Sequence, residues 1–410
     1  MSDLLDYHDA LNALLKTHEP LAGEQWVELV QLNQRVLARD MPVQYDVPAF
    51  DNSAMDGYAI CGNDCASWEV VHRIAAGDDG AQNRLAPGQA ARIFTGAPIP
   101  LGATAVLMQE RVSLDADGKR ISQQLAPGET AGVGEGLNIR RQAEELRRGA
   151  PLLARHQRLT PAAIGLLSMQ GYAHVPCVPQ LRVTVFSSGN ELAEPGQPLQ
   201  PGKIYDSNRQ MLTAMLSAQG FKVVNGGILP DRLDETRVAL KKAAQDSDAI
   251  VCSGGVSVGE EDHLKTALEE AGELTQWRLF IKPGKPFTWG RIDACRVFML
   301  PGNPVSSLVT FQQLALPALR RLAGLAVEEA RPWSLQARAD FSRGKIEPRR
   351  EFLRVRLQGG ADGYRVQPMQ QQGSAMLTGA AFAHALAEIP PGARIEPGLE
   401  LTVYPLGDRF

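Results

Sequence analysis

The sequence has few features of a membrane-spanning, secreted or nucleic-acid-binding protein. No apolar run approaches the length that crosses a bilayer, and the N-terminus MSDLLDYHDA lacks the basic and apolar regions of a signal peptide. Lysine and arginine form no block longer than a pair or so, and the net charge is only −4. We therefore expect a cytoplasmic protein with no nucleic-acid or membrane partner.

Cysteine is also scarce. The five cysteines lie at positions 61, 65, 177, 252 and 295 and form no closely spaced, even set. Cys61 and Cys65 are the only close pair, and no second Cys/His pair completes a zinc site with them. Free thiols in a reducing compartment are the expected state.

Two common nucleotide-binding motifs are missing. The P-loop pattern GxxxxGK[ST] does not occur, because Gly284-Lys285 is followed by proline and the spacing fails. The glycine-rich segment 132–136 misses the dinucleotide fingerprint and follows no apolar strand. Neither a P-loop NTPase nor a dinucleotide-binding enzyme is therefore expected.

A serine hydrolase stays open as a minor alternative. Residues 255–259 read GVSVG and match GxSxG, with Ser257 as the nucleophile, after a strand and before a helix. The downstream histidines are His263, which is too close for the usual chain order, and His384, which lies in a helix-like segment.

The chain is too long for one ordinary core, so its 410 residues predict several domains. Apolar spacing predicts helices over 3–16, 23–39 and 158–170, the last with Thr160 as N-cap. Strands alternate with helices from about 181 to 325, which predicts a mostly parallel sheet. The predicted fold class is multidomain α/β plus β. Its parts are a helical linker region (1–44 with 146–178), an inserted β-rich domain (45–145), a central three-layer α/β/α domain (179–327) and a C-terminal β-barrel-like domain (328–410).

The stretch Ala249–His263 carries the strongest single indication of a ligand site. An apolar strand leads into glycines 254, 255 and 259, whose backbone freedom lets main-chain N–H groups converge on an anion. The acids that follow suit a hard cation such as Mg²⁺. Glu260 and Glu261 are most simply residues that favour the helix dipole, whereas Asp262 is a candidate metal ligand.

Other strand ends of the same sheet carry chemistry too. Ligands gather outside the carboxyl ends of parallel strands, where Glu191, Asp231 and Asp262 are expected to meet. Lys282 and Lys285 lie in the non-helical stretch IKPGKPF, and Pro301 and Pro304 lie in LPGNP. Each residue alone has an ordinary interpretation as a cap, a turn or a surface group. Together the set predicts a pocket for an anion and a metal.

The motifs, taken in order, resemble those of the MoeA family, the molybdopterin molybdenumtransferases, over essentially the whole chain. The similar segments are DNSAMDGYA (51–59), RIFTGAP (92–98), VLMQE (106–110), NIRR (138–141), SSGNEL with PGQPL, IYDSN, CSGGVSVGEEDH, IKPGKPF and LPGNPVSS.

The resemblance implies insertion of molybdate into adenylylated molybdopterin, with Mg²⁺-dependent cleavage of the adenylate and release of AMP. It assigns Asp56, Thr95, Glu191, Asp231 and Asp262 to catalysis, the last three also as metal ligands. It assigns the remaining site residues to substrate binding: Gly254, Gly255, Ser257, Gly259, Lys282, Lys285, Pro301, Pro304, Arg350, Arg354 and Ser374.

The resemblance also implies a homodimer, with contacts to the adenylyltransferase that supplies the substrate and to molybdoenzyme maturation factors. A molybdopterin-binding carrier or scaffold without catalysis is the main alternative. Three departures from the family pattern stand out: Glu145 in place of a frequent Asp, Arg278 in place of a common lysine, and Ala375 where histidine is frequent.

Overall fold

A computed structural model describes residues 4–125, 132–255, 263–344 and 346–407. The chain forms two compact units. The first comprises Met1–Arg39, Arg155–Gly165 and Ala173–Phe410, and the second comprises Asp40–Ala154 and Leu166–Tyr172. The four predicted domain boundaries stay a prediction. No helix in the described ranges is long and apolar enough to cross a membrane.

Over the described residues 4–39, the first unit contains one α-helix rather than the predicted two. Helix α1 (Tyr7–Thr17) begins after Asp6, whose side chain accepts the His8 N–H, and buries its apolar face. The helix predicted over 23–39 is wrong. Residues Gln25–Glu28 form strand β1, which pairs antiparallel with residues 174–177, and a single 3₁₀ turn follows. This long-range pairing overrides the helix-like spacing of the apolar residues.

The second unit is β-rich, as predicted. Its main sheet has six strands in the order β7-β4-β6-β5-β9-β8, and hydrophobic clusters cover both faces. Short strand pairs β3–β10 and β2–β11 complete it. The strands are β2 (Met41–Pro42), β3 (Asn52–Ser53), β4 (Gly57–Ile60), β5 (Ser67–Ile74), β6 (Gln89–Ile93), β7 (Ala105–Met108), β8 (Val112–Leu114), β9 (Arg120–Gln123), β10 (Ile139–Arg140) and β11 (Pro151–Leu153).

The central sheet of the first unit has the order β16-β13-β17-β21-β20-β18. The first four strands are parallel, and β20 and β18 extend the sheet antiparallel, so the prediction of a mostly parallel sheet is confirmed. Its strands and their neighbours are β12 (His174–Cys177), β13 (Arg182–Ser188), β14 (Leu192–Ala193), β15 (Ile204–Tyr205), β16 (Lys222–Leu229), β17 (Ala249–Ser253), β18 (Glu273–Arg278), β19 (Ile281–Lys282), β20 (Pro286–Ile292) and β21 (Cys295–Leu300).

Helices cover both faces of this sheet. Along β17, Ala249 and Val251 pack into one core cluster, while Ile250 and Cys252 pack into the other. Helix α2 precedes the strands of this sheet in the sequence and begins after Thr160, as predicted. Helices α6 and α7 are joined by a π-helical turn, Phe311–Ala315. The helices are α2 (Pro161–Met169), α3 (Asn208–Ala218), α4 (Leu233–Asp246), α5 (His263–Ala271), α6 (Pro304–Thr310), α7 (Leu316–Leu322) and α8 (Val327–Ala330).

The C-terminal region forms a closed five-stranded barrel, which confirms the predicted barrel-like domain. The pairings run β23-β24-β22-β26-β25 and return to β23, and β19 of the α/β region adds to β23 in parallel. The helix-like interpretation of the segment around His384 is wrong, because the residues that follow His384 form β25, one of the five strands of the barrel. The elements are β22 (Leu335–Ala339), β23 (Arg350–Gly360), β24 (Gly363–Pro368), α9 (Leu377–Ala381), β25 (Ala385–Ile389) and β26 (Glu400–Pro405).

Candidate active site

Two of the predicted acids lie together at the carboxyl edge of the central sheet. Glu191 follows β13, and Asp231 follows the neighbouring strand β16. Asp231 Oδ2 accepts the Asn190 N–H at 3.0 Å, and its Oδ1 lies 3.4 Å from the Ser188 hydroxyl. The loop that carries Glu191 is therefore hydrogen-bonded directly to Asp231.

Glycines give this edge its close packing. A Cβ at Gly189 would lie 2.4 Å from Glu191 Oε2, so the Glu191 carboxylate folds back over a backbone that only glycine leaves open. A Cβ at Gly254 would lie 2.2 Å from the Ser188 carbonyl oxygen, and Gly254 and Gly255 have φ of +98° and +65°. The backbone after β17 therefore packs directly against the backbone at the end of β13.

The donor set fits a hard divalent cation. Carboxylate oxygens are the side-chain ligands that Mg²⁺ prefers, and one or two of them usually suffice when the substrate brings phosphates. Each carboxylate keeps lone pairs beyond those used by the loop. Within the described ranges no three His, Cys, Asp or Glu side chains are grouped to hold a metal. Asp262, the third predicted ligand, lies outside the described residues, as do Ser257 and Gly259.

A second cluster lies where β19 pairs with β23, between the α/β region and the barrel of the first unit. Lys282 is directly opposite Glu351 in this pairing. A cleft of about 310 Å³ opens beside it. Its lining contains predicted residues and several that sequence reasoning missed: Lys282, Pro283, Gly284, Lys285, Ser306, Arg349, Glu351, Phe352, Arg354, Gln372, Gly373 and Ser374. We call this the lysine cleft.

Lys282 and the glutamates beside the lysine cleft are paired within the protein. Lys282 Nζ lies 3.0 Å from Glu347 Oε2 and 3.1 Å from Glu351 Oε1. Burial opposes the charged form of Lys282, but hydrogen bonds to these two glutamates raise its pKa. Burial likewise opposes ionisation of Glu347, yet hydrogen bonds from Arg349 and Lys282 lower its pKa to about 2.

The two arginines predicted to bind substrate have different surroundings in the structure. Arg354 is 1% exposed and donates Nη2 hydrogen bonds to the Gln371 and Gly373 carbonyls at 2.9 and 3.1 Å, so it holds the segment that ends in Ser374. Arg350 does not line the lysine cleft, because its guanidinium pairs with Glu388 and with Asp6. Its neighbour Arg349 lines the cleft instead.

The predicted prolines shape the same region. Pro304 is the first residue of α6, and the next N–H, of Val305, donates to the Ser374 carbonyl at 2.9 Å. Pro301 follows β21, whose last carbonyl, at Leu300, accepts the Gly254 N–H. The loop of Pro301 and Pro304 therefore borders both the lysine cleft and the sheet edge that carries Glu191 and Asp231, which we call the acidic edge.

Asp56 and Thr95 meet in the second unit. Asp56 Oδ1 accepts the Thr95 backbone N–H at 2.9 Å and the Thr95 hydroxyl at 3.2 Å. Both side chains are exposed. The residue before β4 and the turn after β6 therefore present one carboxylate and one hydroxyl to solvent as a pair.

His384, the histidine considered for the serine-hydrolase alternative, contacts the backbone of the barrel. His384 Nδ1 lies 3.2 Å from the Leu357 N and 3.1 Å from its carbonyl oxygen, within the barrel. The nucleophile of that alternative, Ser257, lies outside the described residues.

Comparison with known proteins decides the family. Residues 5–171 match the profile of the MoeA N-terminal region (domain I and II), 184–321 match a "probable molybdopterin binding domain", and 336–406 match the MoeA C-terminal region (domain IV). The chain belongs to the MoeA family. The resemblance seen in the sequence motifs is thereby confirmed.

Curated MoeA relatives extend over most of the chain. A protein named molybdopterin molybdenumtransferase from Haemophilus influenzae is 38% identical over 356 residues, covering 85% of each chain. One of the same name from Bacillus subtilis is 32% identical and covers 92% of this chain and 88% of its own. The predicted enzyme class, a transferase, agrees with these names.

Solved MoeA structures share the fold. A crystal structure titled as the molybdopterin biosynthesis moeA protein of Pyrococcus horikoshii OT3 superposes with a TM-score of 0.82 at 27% identity, covering 98% of this chain and all of that one. A second structure of the protein from that organism gives 0.78 at 28% identity. The predicted multidomain α/β plus β class is confirmed.

Proposed function

We propose that this MoeA-family chain acts in molybdenum cofactor biosynthesis by inserting molybdate into adenylylated molybdopterin, with cleavage of the adenylate and release of AMP. The observation that carries the proposal is the lysine cleft, lined by Lys282, Lys285 and Arg349, together with a strand edge of the same unit that bears carboxylates. Such a pair of sites suits a reaction between two substrates, a free oxyanion and a molecule that carries a phosphoanhydride.

The lysine cleft would bind molybdate. Lys285 is exposed and Ser306 and Ser374 lie alongside, so the cleft offers ammonium, guanidinium and hydroxyl donors to a tetrahedral dianion. Charge-assisted hydrogen bonds of this kind are roughly twice as strong as neutral ones. We assign Lys282, Lys285, Arg349 and Ser374 to oxyanion binding, and Arg354 to holding the wall of the cleft.

The acidic edge would hold the adenylate end. Bound there, a cation such as Mg²⁺ supplies charge neutralisation at the phosphoanhydride. Glu191 and Asp231 would bind and orient that cation, with Asp262 as the proposed third carboxylate. The glycine backbone at 254–255 would admit a phosphate close to the main chain. Asp56 and Thr95 are proposed as further catalytic groups.

The homodimer and the cytoplasmic location also belong to this proposal, as do the contacts with the adenylyltransferase and with maturation factors. In a homodimer, Asp56 and Thr95 would serve the site of the partner subunit. Light scattering on the purified chain would test the dimer directly, since a monomeric mass would contradict it.

Release of AMP from adenylylated molybdopterin tests the function. We expect release that needs both molybdate and Mg²⁺ in the wild type and that falls by at least a hundredfold in Asp231→Asn, because that change removes a charge at the proposed cation site. The exposed Asp234→Asn on α4 is the matched control. Molybdopterin binding without AMP release would favour the carrier alternative.

A further inference from the structure

One buried charged network adjoins the acidic edge and has no part in the proposal above. Its centre is Arg209 in the first turn of α3, which is 1% exposed. A guanidinium removed from water to this degree is costly unless its donors are satisfied.

The partners of Arg209 come from three different segments. Its Nε donates to Asp206 Oδ2 at 2.9 Å, its Nη2 contacts Glu194 Oε1 and Oε2 at 2.7 and 2.5 Å, and its Nη1 donates to Asn225 Oδ1. Asp206 Oδ2 also accepts the Ser187 hydroxyl at 2.7 Å. Arg209 thus ties α3 to the residue after β14 and to β16, and Asp206 links this network to the end of β13.

Two of these segments lead to the proposed metal ligands. Glu194 lies three residues after Glu191, directly after the short strand β14. Asn225 lies in β16, where the register with β13 shifts, and its Oδ1 also accepts the Gly227 N–H at 3.0 Å. That strand ends two residues before Asp231.

We propose that Arg209 is a positioning residue, which fixes the loop of Glu191 and the strand of Asp231 in one geometry so that both carboxylates face one cation. The inference rests on the proposed function. Arg209 acts through Glu194 and Asn225 and contacts no reacting atom.

A purely structural role explains the network less well. A hydrophobic side chain of similar volume usually packs a buried site as well as an ion pair does, so packing alone does not call for an arginine. The carboxylate that Arg209 holds in a bidentate pair belongs to Glu194, whose side chain is 47% exposed. The pair of Arg209 and Glu194 therefore fixes a loop at the acidic edge of the sheet.

The test compares four variants of the full-length chain. Glu194→Ala releases the loop at a half-exposed position, so it should fold even if Arg209→Met does not. Arg209→Lys keeps the charge but cannot reach three partners together. Arg237→Met, which breaks an exposed pair with Asp234 and Glu270 on the same domain, is the matched control.

Three properties are measured. The first is Mn²⁺ affinity in the presence of AMP, by electron paramagnetic resonance, and the second is hydrogen exchange of the Asn190 amide, which donates its N–H to Asp231. The third is AMP release as a function of Mg²⁺ concentration. Side chains that hold metal ligands in place typically contribute about 10- to 100-fold in metal affinity. We therefore expect Glu194→Ala and Arg209→Lys to weaken Mn²⁺ binding about tenfold, to speed Asn190 exchange, and to raise the Mg²⁺ requirement more than they lower kcat.

Mn²⁺ affinity and Asn190 exchange equal to those of the wild type and of Arg237→Met would overturn the inference, even if thermal stability had fallen. Absence of Mn²⁺ binding to the wild type would overturn it too. If the wild type binds Mn²⁺ but releases no AMP, the proposed function fails, while the first two readouts still decide the role of Arg209.

Discussion

The Lys282 ammonium lies 3.0 Å from one carboxylate oxygen of Glu347 and 3.1 Å from one of Glu351. A lysine proposed to bind an oxyanion is therefore already paired with two carboxylates inside the protein. The ammonium keeps a third N–H for an incoming dianion, which would meet the negative charge of both carboxylates. Glu347 thus competes with the substrate for Lys282, which would keep oxyanion binding weak enough for release.

Glu347→Gln is expected to tighten oxyanion binding. The neutral amide frees Lys282 and Arg349 from a charged partner, and a charge-assisted contact of this kind contributes about 1.5–3 kcal/mol. We expect a decrease in the molybdate dissociation constant of about tenfold, together with a gain in sulfate binding, by calorimetry. The exposed Glu269→Gln on α5 serves as control. Unchanged affinity in Glu347→Gln would contradict the competition.

The same glutamate predicts a pH dependence of stability. The folded state holds the pKa of Glu347 at about 2, below the ordinary carboxyl value, so the stabilisation it provides is present at neutral pH and lost as the pH falls. Urea unfolding at pH 6, 5, 4 and 3 should show the wild type losing free energy of unfolding faster than Glu347→Gln. Parallel losses in the two proteins would show that Glu347 is not responsible.

Alanine substitutions at Arg349 and Arg350 should affect different properties, molybdate affinity at Arg349 and fold stability at Arg350. Arg349→Ala removes a cation from the lysine cleft, so molybdate affinity should fall about tenfold, with a smaller loss of melting temperature than in Arg350→Ala because its partner Glu347 keeps Lys282. Arg350→Ala leaves the buried Glu388 without its arginine and should destabilise the fold by about 3 kcal/mol with affinity kept. Calorimetric titration and thermal unfolding of both variants decide this. The reverse result would restore Arg350 as the anion ligand predicted from the sequence.

The acidic edge could be predicted from sequence because it depends on local order. Glu191 and Asp231 each follow an apolar strand, and the carboxyl ends of parallel strands meet at one edge of a sheet. The glycines at 254 and 255 follow such a strand as well. Strand pattern and residue type were sufficient to bring these residues together.

The lysine cleft and the N-terminal segment could not be predicted in the same way. The cleft depends on β19 pairing with β23, which places Lys282 opposite Glu351, 69 positions apart in sequence. Adjacent residues of an extended chain point to opposite sides, so the choice between Arg349 and Arg350 depends on that register. Likewise β1 exists because it pairs with β12, and no spacing within 23–39 shows that partner.

Gly189 and Gly196 offer a matched pair for testing the position of the Glu191 carboxylate. Both have positive φ, of +153° and +91°, so alanine at either site costs about 1–3 kcal/mol of backbone strain. Only at Gly189 would the new Cβ meet the Glu191 carboxylate, at 2.4 Å, whereas nothing lies within 4 Å at Gly196.

Gly189→Ala should therefore weaken Mn²⁺ binding and AMP release at least tenfold, while Gly196→Ala keeps both close to wild type with a similar loss of melting temperature. The comparison cancels the strain that the two variants share and leaves the displacement of one carboxylate. Equal losses in both variants would mean that loop strain, and not the place of Glu191, limits the site. Retained function in Gly189→Ala would show that the site does not need the Glu191 carboxylate in the position it has in this structure.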